Sequence, residues 1–254
     1  MATEFQNKTA LVTGASRGIG ASTAVALARA GTAKVTIHYN SYAEGAEQTA
    51  CHVRAAGAEA ETIRAHLGSR EGIRQFLDAV RDRGAEPDIL INNAGSLVKR
   101  ATLAEFTEDL FDEVMNLNVK SLWFITQALT PPMVRKGSGV VVNLSSIAAR
   151  NGGGPGATVY SAAKAAVSCM TKGLAKELAP KGVRVNAVSP GTVDNHFHEV
   201  FSNAEILQNV VRQTPAGRLG NNEEVAELIL FLCSDAAAYI HGQTIEINGG
   251  MYMV

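Results

Sequence analysis

The chain has 254 residues, 46% of them hydrophobic and 19% charged, which suits a folded protein with a large core and excludes a disordered one. Its formal net charge is -1, so no global field draws it to nucleic acid or acidic lipid. No apolar run reaches the ~20 residues of a membrane helix, and the first residues lack a secretory signal's basic and apolar regions, so the expected location is the cytoplasm.

In chain order, apolar, β-rich stretches recur at "TALVTG", "KVTIHY", "AETIRAHL", "DILINNAG", "GVVVNLSS", "VRVNAVSPG" and "QTIEING". Helical patterns such as "IGASTAVALARAG", "AEGAEQTACHVRAAG" and "REGIRQFLDAVRDRG" separate the earlier ones, each ending at a glycine of the kind that closes helices. The strands are continuously apolar, so both of their faces are expected to be buried. Alternating βαβ units predict a doubly wound α/β fold, Rossmann-type, with a parallel sheet of seven strands and helices on both faces. No repeat or linker divides the chain, which predicts one domain over residues 1–254. Cys51, Cys169 and Cys233 are scattered, with no metal-ligand spacing; they read as buried apolar residues in a reducing compartment.

Ligands of such sheets sit beyond the carboxyl ends of the strands. The first strand runs into "VTGASRGIGASTA", where Gly14, Gly18 and Gly20 let backbone pass close to a pyrophosphate on a helix N-terminus. In "VYSAAKAAV", Tyr160 stands four residues before Lys164, which puts phenol and ammonium on one helix face. That pairing is either packing or a cation that makes the phenol titratable.

"TGASRGIG" (13–20), "NNAG" (92–95), Asn118 in "NLNVKSLWF", "NLSS" (143–146), "YSAAK" (160–164) and "SPG" (189–191) follow one another in order. Together they resemble the short-chain dehydrogenase/reductase family over essentially the whole chain. The resemblance implies a catalytic tetrad of Asn118, Ser146, Tyr160 and Lys164, with Ser145, the first serine of the pair, structural. Tyr160 would exchange a proton with the substrate oxygen, its pKa brought toward neutrality by Lys164 and by oxidised nicotinamide. Ser146 would donate to that oxygen, and Asn118 would hold a water that relays protons from Lys164. The implied dinucleotide site is Gly14, Ser16, Arg17, Gly18, Ile19 and Gly20, then Tyr39, Asn40 and Ser41 after the second strand. His66 and Leu67 follow the third strand, where the family often has an Asp for the adenine. Asn93, Ala94 and Gly95, then Pro190, Gly191 and Val193, complete it beside Tyr160 and Lys164.

NADP is expected rather than NAD. "VTIHYNSYAEG" has His38, Tyr39, Asn40 and Ser41 but no acid before Glu44 to hold a ribose 2′-hydroxyl, and Arg17 stands where NADP-preferring relatives carry a basic residue. Asn195 occupies the position after "SPG" at which the family often has a Thr near the carboxamide. Residues 192–215 should form an irregular lid, with Phe197, Phe201, Ile206 and Leu207 apolar and His196 and His198 at its entrance. Relatives that take carrier-bound 3-oxoacyl groups use basic residues on two helices. Lys172 and Lys176 supply one, but Thr130, Pro131 and Pro132 stand where the other belongs.

The reading is therefore an NADPH-dependent carbonyl reductase acting on a small free ketone or secondary alcohol, with no metal, nucleic-acid or membrane partner. A 3-oxoacyl-[acyl carrier protein] reductase comes next, and a dinucleotide-binding sensor without turnover third. Two helices, about residues 110–133 and 159–179, have more apolar surface than one subunit covers, including Val159, Ala162, Ala166 and Met170. Family members pair these helices in homotetramers, so a tetramer is expected, with a dimer as fallback. Met251, Tyr252, Met253 and Val254, expected to be exposed, would suit a second interface.

Overall fold

The computed structural model describes residues 5–253. The strands are β1 (Thr9–Val12), β2 (Lys34–Tyr39), β3 (Glu59–Arg64), β4 (Ile89–Asn92), β5 (Gly139–Leu144), β6 (Val183–Pro190) and β7 (Thr244–Ile247). They form one sheet in the order β3-β2-β1-β4-β5-β6-β7, every pairing parallel. The order reverses between β1 and β4, so their carboxyl ends open a crevice there. The crossovers carry α1 (Gly18–Arg29), α2 (Ala43–Ala55), α3 (Arg70–Asp82), α4 (Glu108–Met115), α5 (Ser121–Lys136), the turn α6 (Ala148–Asn151) and α7 (Thr158–Leu178). After β6 come α8 (His196–Phe201), α9 (Ala204–Gln213) and α10 (Asn222–Cys233).

The two faces of the sheet bury different side chains. Val12, Val35, Ile37 and Ile91 pack on one side against Leu27 of α1, Ala50 of α2 and Ile229 of α10. Leu11, Ile63, Leu90 and Val141 pack on the other against Phe76 of α3, Ile125 of α5 and Leu174 of α7. Burial on both sides accounts for the unbroken apolar runs. Polar ties then fix the strand ends. Asn92 Nδ2 donates to Asn143 Oδ1 across the β4–β5 pair (2.9 Å) and to Thr126 Oγ1 of α5 (3.0 Å), while Asn143 Nδ2 donates to Thr171 Oγ1 of α7 (2.9 Å). These amides lock α5 and α7 to the carboxyl ends of the central strands.

Four expectations change. Residues 192–215 are not irregular, because Asn195 and Asn203 cap two short helices: their Oδ1 atoms accept from Phe197 N and Ile206 N. The long helix over 110–133 is interrupted by a π-helical turn, Asn116–Lys120. Cys233 alone of the three cysteines is buried; Cys51 and Cys169 are exposed on the outer faces of α2 and α7. Near the carboxyl end Met253 is exposed but Met251 and Tyr252 are half-buried, and Val254 lies outside the described residues.

Candidate active site

At the crevice lies a cavity of about 670 Å³, bounded by the β1–α1 turn, the ends of β4, β5 and β6, α7 and the helical lid. Its first wall is the glycine turn. Gly18 opens α1 at a φ of 60° that favours glycine, and a Cβ at Gly20 would lie 2.4 Å from Gly14 O, so only glycine permits that approach. The starts of α3, α4, α8, α9 and α10 are capped by side chains, whereas α1, like α2, α5, α6 and α7, has no side-chain cap, and α1 also has no acid in its first turn. Its first N–H groups therefore remain for an external acceptor, and the helix end favours an anion. A pyrophosphate fits this seat.

His38 buttresses the turn from behind. Gly14 N–H donates to His38 Nδ1 (3.0 Å), and the opposite ring nitrogen sits 3.1 Å from Ala65 O, which assigns the proton to Nε2. Burial, against the hydrogen bond to Ala65, lowers its pKa to about 4; the neutral ring thus stays an acceptor for Gly14. In its own strand His38 shows only as the absence of an acid.

The other dinucleotide residues separate into two groups. Arg17, Ile19, Asn93, Ala94, Gly95, Pro190, Gly191 and Val193 line the cavity with the glycines. Ser16, Tyr39, Asn40, Ser41, His66 and Leu67 do not. Asn40 and Ser41 are exposed beyond the carboxyl end of β2, at the rim. The Leu67 side chain is 1% exposed and belongs to the core, which leaves only its main chain to meet a cofactor. His66 turns outward toward Glu113, 3.8 Å away. Two rim residues were missed. The Arg17 guanidinium stacks 4.1 Å from the Tyr42 ring centre, and Arg64, paired with Tyr39 in the β2–β3 register, donates from Nε to Asn40 O (3.2 Å).

Ser146, Tyr160 and Lys164 line the same cavity, with the Tyr160 hydroxyl hydrogen-bonded to Ser146. Ser145 does not share the role of Ser146: it is buried, its Oγ donating to Lys164 O (3.0 Å) and lying 2.7 Å from Ser168 Oγ. Lys164 Nζ lies 5.7 Å from the Tyr160 ring centre and donates to Leu144 O (2.7 Å) at the end of β5. Burial, opposed by a hydrogen bond with Ser146, pushes the Tyr160 phenol up to about 12; burial brings Lys164 down to about 8. That is the phenol of the chain without cofactor; the shift toward neutrality expected from Lys164 and oxidised nicotinamide together concerns the loaded site. Without cofactor the phenol stays protonated, in the form that can donate.

Asn118 stands behind this group in the π turn, a feature frequent at functional sites. It is 1% exposed; its Nδ2 donates to Ser96 O (2.8 Å) and Val114 O (2.8 Å), and its Oδ1 accepts from Ser96 N (3.2 Å). Its amide braces the main chain after Gly95, where a Cβ would lie 2.7 Å from both Asn118 Oδ1 and Lys164 Nζ. Asn195 likewise is occupied, capping α8 and donating to Asn222 Oδ1 (3.0 Å).

On the lid side, Phe197 lies 5.9 Å from the Tyr160 ring and 4.9 Å from Phe201, and Phe201, Ile206 and Leu207 line the same space. His196 is exposed and bonded to Glu199, while His198 bonds Ser202 and has its pKa lowered to about 4, mainly by burial and then by the charge of Arg100. Among the described residues no cluster could hold a metal ion, and no helix is long and apolar enough to cross a membrane.

Residues 14–252, which include all of these positions, match a family model described as enoyl-(acyl carrier protein) reductase. The chain belongs to the short-chain dehydrogenase/reductase family. It is an oxidoreductase acting on a keto or hydroxyl group. It is 39% identical over 247 residues to a Staphylococcus epidermidis 3-oxoacyl-[acyl-carrier-protein] reductase FabG, covering 97% of this chain and all of the relative. A Synechocystis 3-oxoacyl-[acyl-carrier-protein] reductase is 40% identical over 252 residues, 99% of each chain. Among solved structures, a DEH reductase A1-R′ mutant superposes with a TM-score of 0.90 at 33% identity, over the full length of both chains. A Brucella melitensis 3-oxoacyl-[acyl-carrier protein] reductase with bound NAD gives 0.89 at 31%, over 99% of this chain and 93% of that one. In this short-chain dehydrogenase/reductase the motifs are therefore brought to one crevice.

Proposed function

We propose that this short-chain dehydrogenase/reductase uses NADPH to reduce the ketone of a 3-oxoacyl thioester to a secondary alcohol. The observation that carries this is the meeting of Tyr160, Ser146 and a buried Lys164 in the cavity that also contains the uncapped start of α1. A bound nicotinamide would supply the hydride. Ser146 Oγ and the Tyr160 hydroxyl hold the substrate oxygen, and the protonated phenol gives up its proton as charge develops there. The ammonium of Lys164 then favours the phenolate that remains. The relatives raise the 3-oxoacyl reading above the small free ketone placed first by the sequence. Pro131 and Pro132, within α5 where a basic carrier contact was expected, favour the free ketone as a second reading. Incubating the protein with NADPH and a panel of free ketones and acetoacetyl thioesters separates the two; binding without consumption of NADPH would leave only the sensor.

The cofactor is proposed to be NADPH because Arg17 and Arg64 flank the carboxyl end of β2, where no acid stands. Arg17→Ala should raise KM for NADPH by about one to two decades, the loss of one charge-assisted contact, and leave that for NADH within about twofold. Equal losses for both cofactors would contradict the assignment.

A homotetramer is proposed from the outer faces of α4, α5 and α7. Phe111, Trp123 and Phe124 are 47%, 40% and 38% exposed, and Ala162, Ala165 and Cys169 are exposed along α7 beside half-buried Val159, Ala166 and Met170. Small residues on α7 let a second helix approach closely, and two-fold pairing would cover this surface. Light scattering at micromolar concentration should give four times the 26.7 kDa chain mass, or twice if only dimers form; a monomer would contradict the proposal.

A further inference from the structure

One arginine of the cavity is not used by the reaction described above. Among the described residues no Asp or Glu lines the cavity, but three basic side chains do: Arg17 beside the glycine turn, Lys164 beside Tyr160 and Arg100 on the lid side. Arg100 is held in place by the main chain. Its Nε donates to Phe201 O at the end of α8 (2.7 Å), and its Nη1 donates to Pro155 O in the loop before α7 (2.7 Å). Among the described residues it forms no ion pair with a carboxylate, and Nη2 has no acceptor of its own. Carbonyl oxygens orient a guanidinium but leave its charge unbalanced, and a cavity walled by low-dielectric side chains concentrates the resulting field.

We propose that Arg100 is the seat for an anionic oxygen group carried by the substrate. The proposal rests on the ketone-reductase reading and narrows it to substrates with a carboxylate or phosphate at a distance from the reacting carbonyl. Two sources share this chemistry: the carboxylate of a free oxo acid, and a phosphate on the arm of a thioester carrier. A planar guanidinium with one amino group uncommitted can take either in a charge-assisted bond. Phe197 lies beside both the Tyr160 and Phe201 rings, and Phe201 O holds Arg100, so the side chains that link the two positions are apolar and the stretch joining ketone and anion would be apolar.

The test uses matched pairs with NADPH: 5-oxohexanoate against its methyl ester, and acetoacetyl-coenzyme A against the phosphate-free acetoacetyl-N-acetylcysteamine. Arg100→Gln should raise KM for a charged member about 10- to 100-fold and leave its neutral partner within about twofold, and Arg100→Lys should recover part of the loss. An effect in the oxo-acid pair alone identifies the carboxylate as the natural anion, and one in the thioester pair alone the phosphate. Equal losses for charged and neutral members, or no loss, would overturn the proposal and leave Arg100 as a clamp between α8 and the loop before α7. Calorimetric titration of 5-oxohexanoate and acetoacetyl-coenzyme A into Tyr160→Phe protein loaded with NADPH, with and without Arg100→Gln, reads the same contact without turnover. Absence of turnover in the wild type would count against the reductase reading, while charge-dependent binding in this titration would still support the anion seat.

Discussion

Tyr160→Phe should lower ketone reduction by about two to four decades, the range for loss of a positioned general acid, and leave NADPH affinity within about twofold. The ring itself packs against Phe197 at 5.9 Å, and Phe preserves that contact, so the substitution removes only the hydroxyl. Burial holds this phenol protonated up to about 12, so at neutral pH nearly every molecule carries the proton that reduction requires. Fluorescence titration with NADPH and single-turnover kinetics separate binding from chemistry. A Phe variant with a tenth of wild-type activity would show that the proton comes from another group.

Lys164→Met should also remove most activity, yet leave the folded protein as stable as the wild type or more so at neutral pH. The ammonium is 4% exposed and its pKa is lowered from 10.5 to about 8 by burial, so the fold bears the cost of a desolvated charge. Between about pH 8 and 10.5 the unfolded chain retains a proton on Lys164 that the folded chain has lost. Wild-type stability therefore gains a rising contribution across that window, on the order of 2–4 kcal/mol, and the Met variant should lack it. Loss of the bond to Leu144 O offsets part of the gain. Ketone reduction by the wild type should decline as pH rises through about 8, when the cation that favours the phenolate is discharged. Thermal melts of both proteins from pH 7 to 10, with activity profiles over the same range, check these outcomes. A Met variant that melts far lower and cannot be saturated with NADPH would make Lys164 structural.

The sheet was legible because its signal is dense: five residues of "GVVVNL" are fully or nearly fully buried, and no other arrangement hides both faces of such strands. The glycine turn and the Tyr160–Lys164 pair were legible because their chemistry depends on local spacing. What escaped depends on distance in sequence. Nothing near Arg100 marks it as a cavity residue, because its partners are Phe201 and Pro155. His38 is joined to Gly14 and Ala65, 24 and 27 residues away, and a buried neutral histidine leaves no pattern in its own strand. Leu67, three residues past β3, fell on the core side. The lid helices were within reach: Asn195 and Asn203 each precede a short amphipathic run, the pattern of a capped helix. The π turn at Asn118 was not, since "NLNVKSLWF" reads as continuous helix and the extra residue shows only in backbone geometry.

Hydride delivery to a substrate carbonyl is the central claim, and isotopic transfer tests it most directly. The wild-type protein would be given NADPH carrying deuterium at both C4 positions of the nicotinamide, with an acetoacetyl thioester as acceptor, and the product analysed by mass spectrometry. The account predicts a 3-hydroxybutyryl thioester with one deuterium on the carbon that bears the new hydroxyl. Label bound by the protein and returned unspent, with the thioester unchanged, would contradict it.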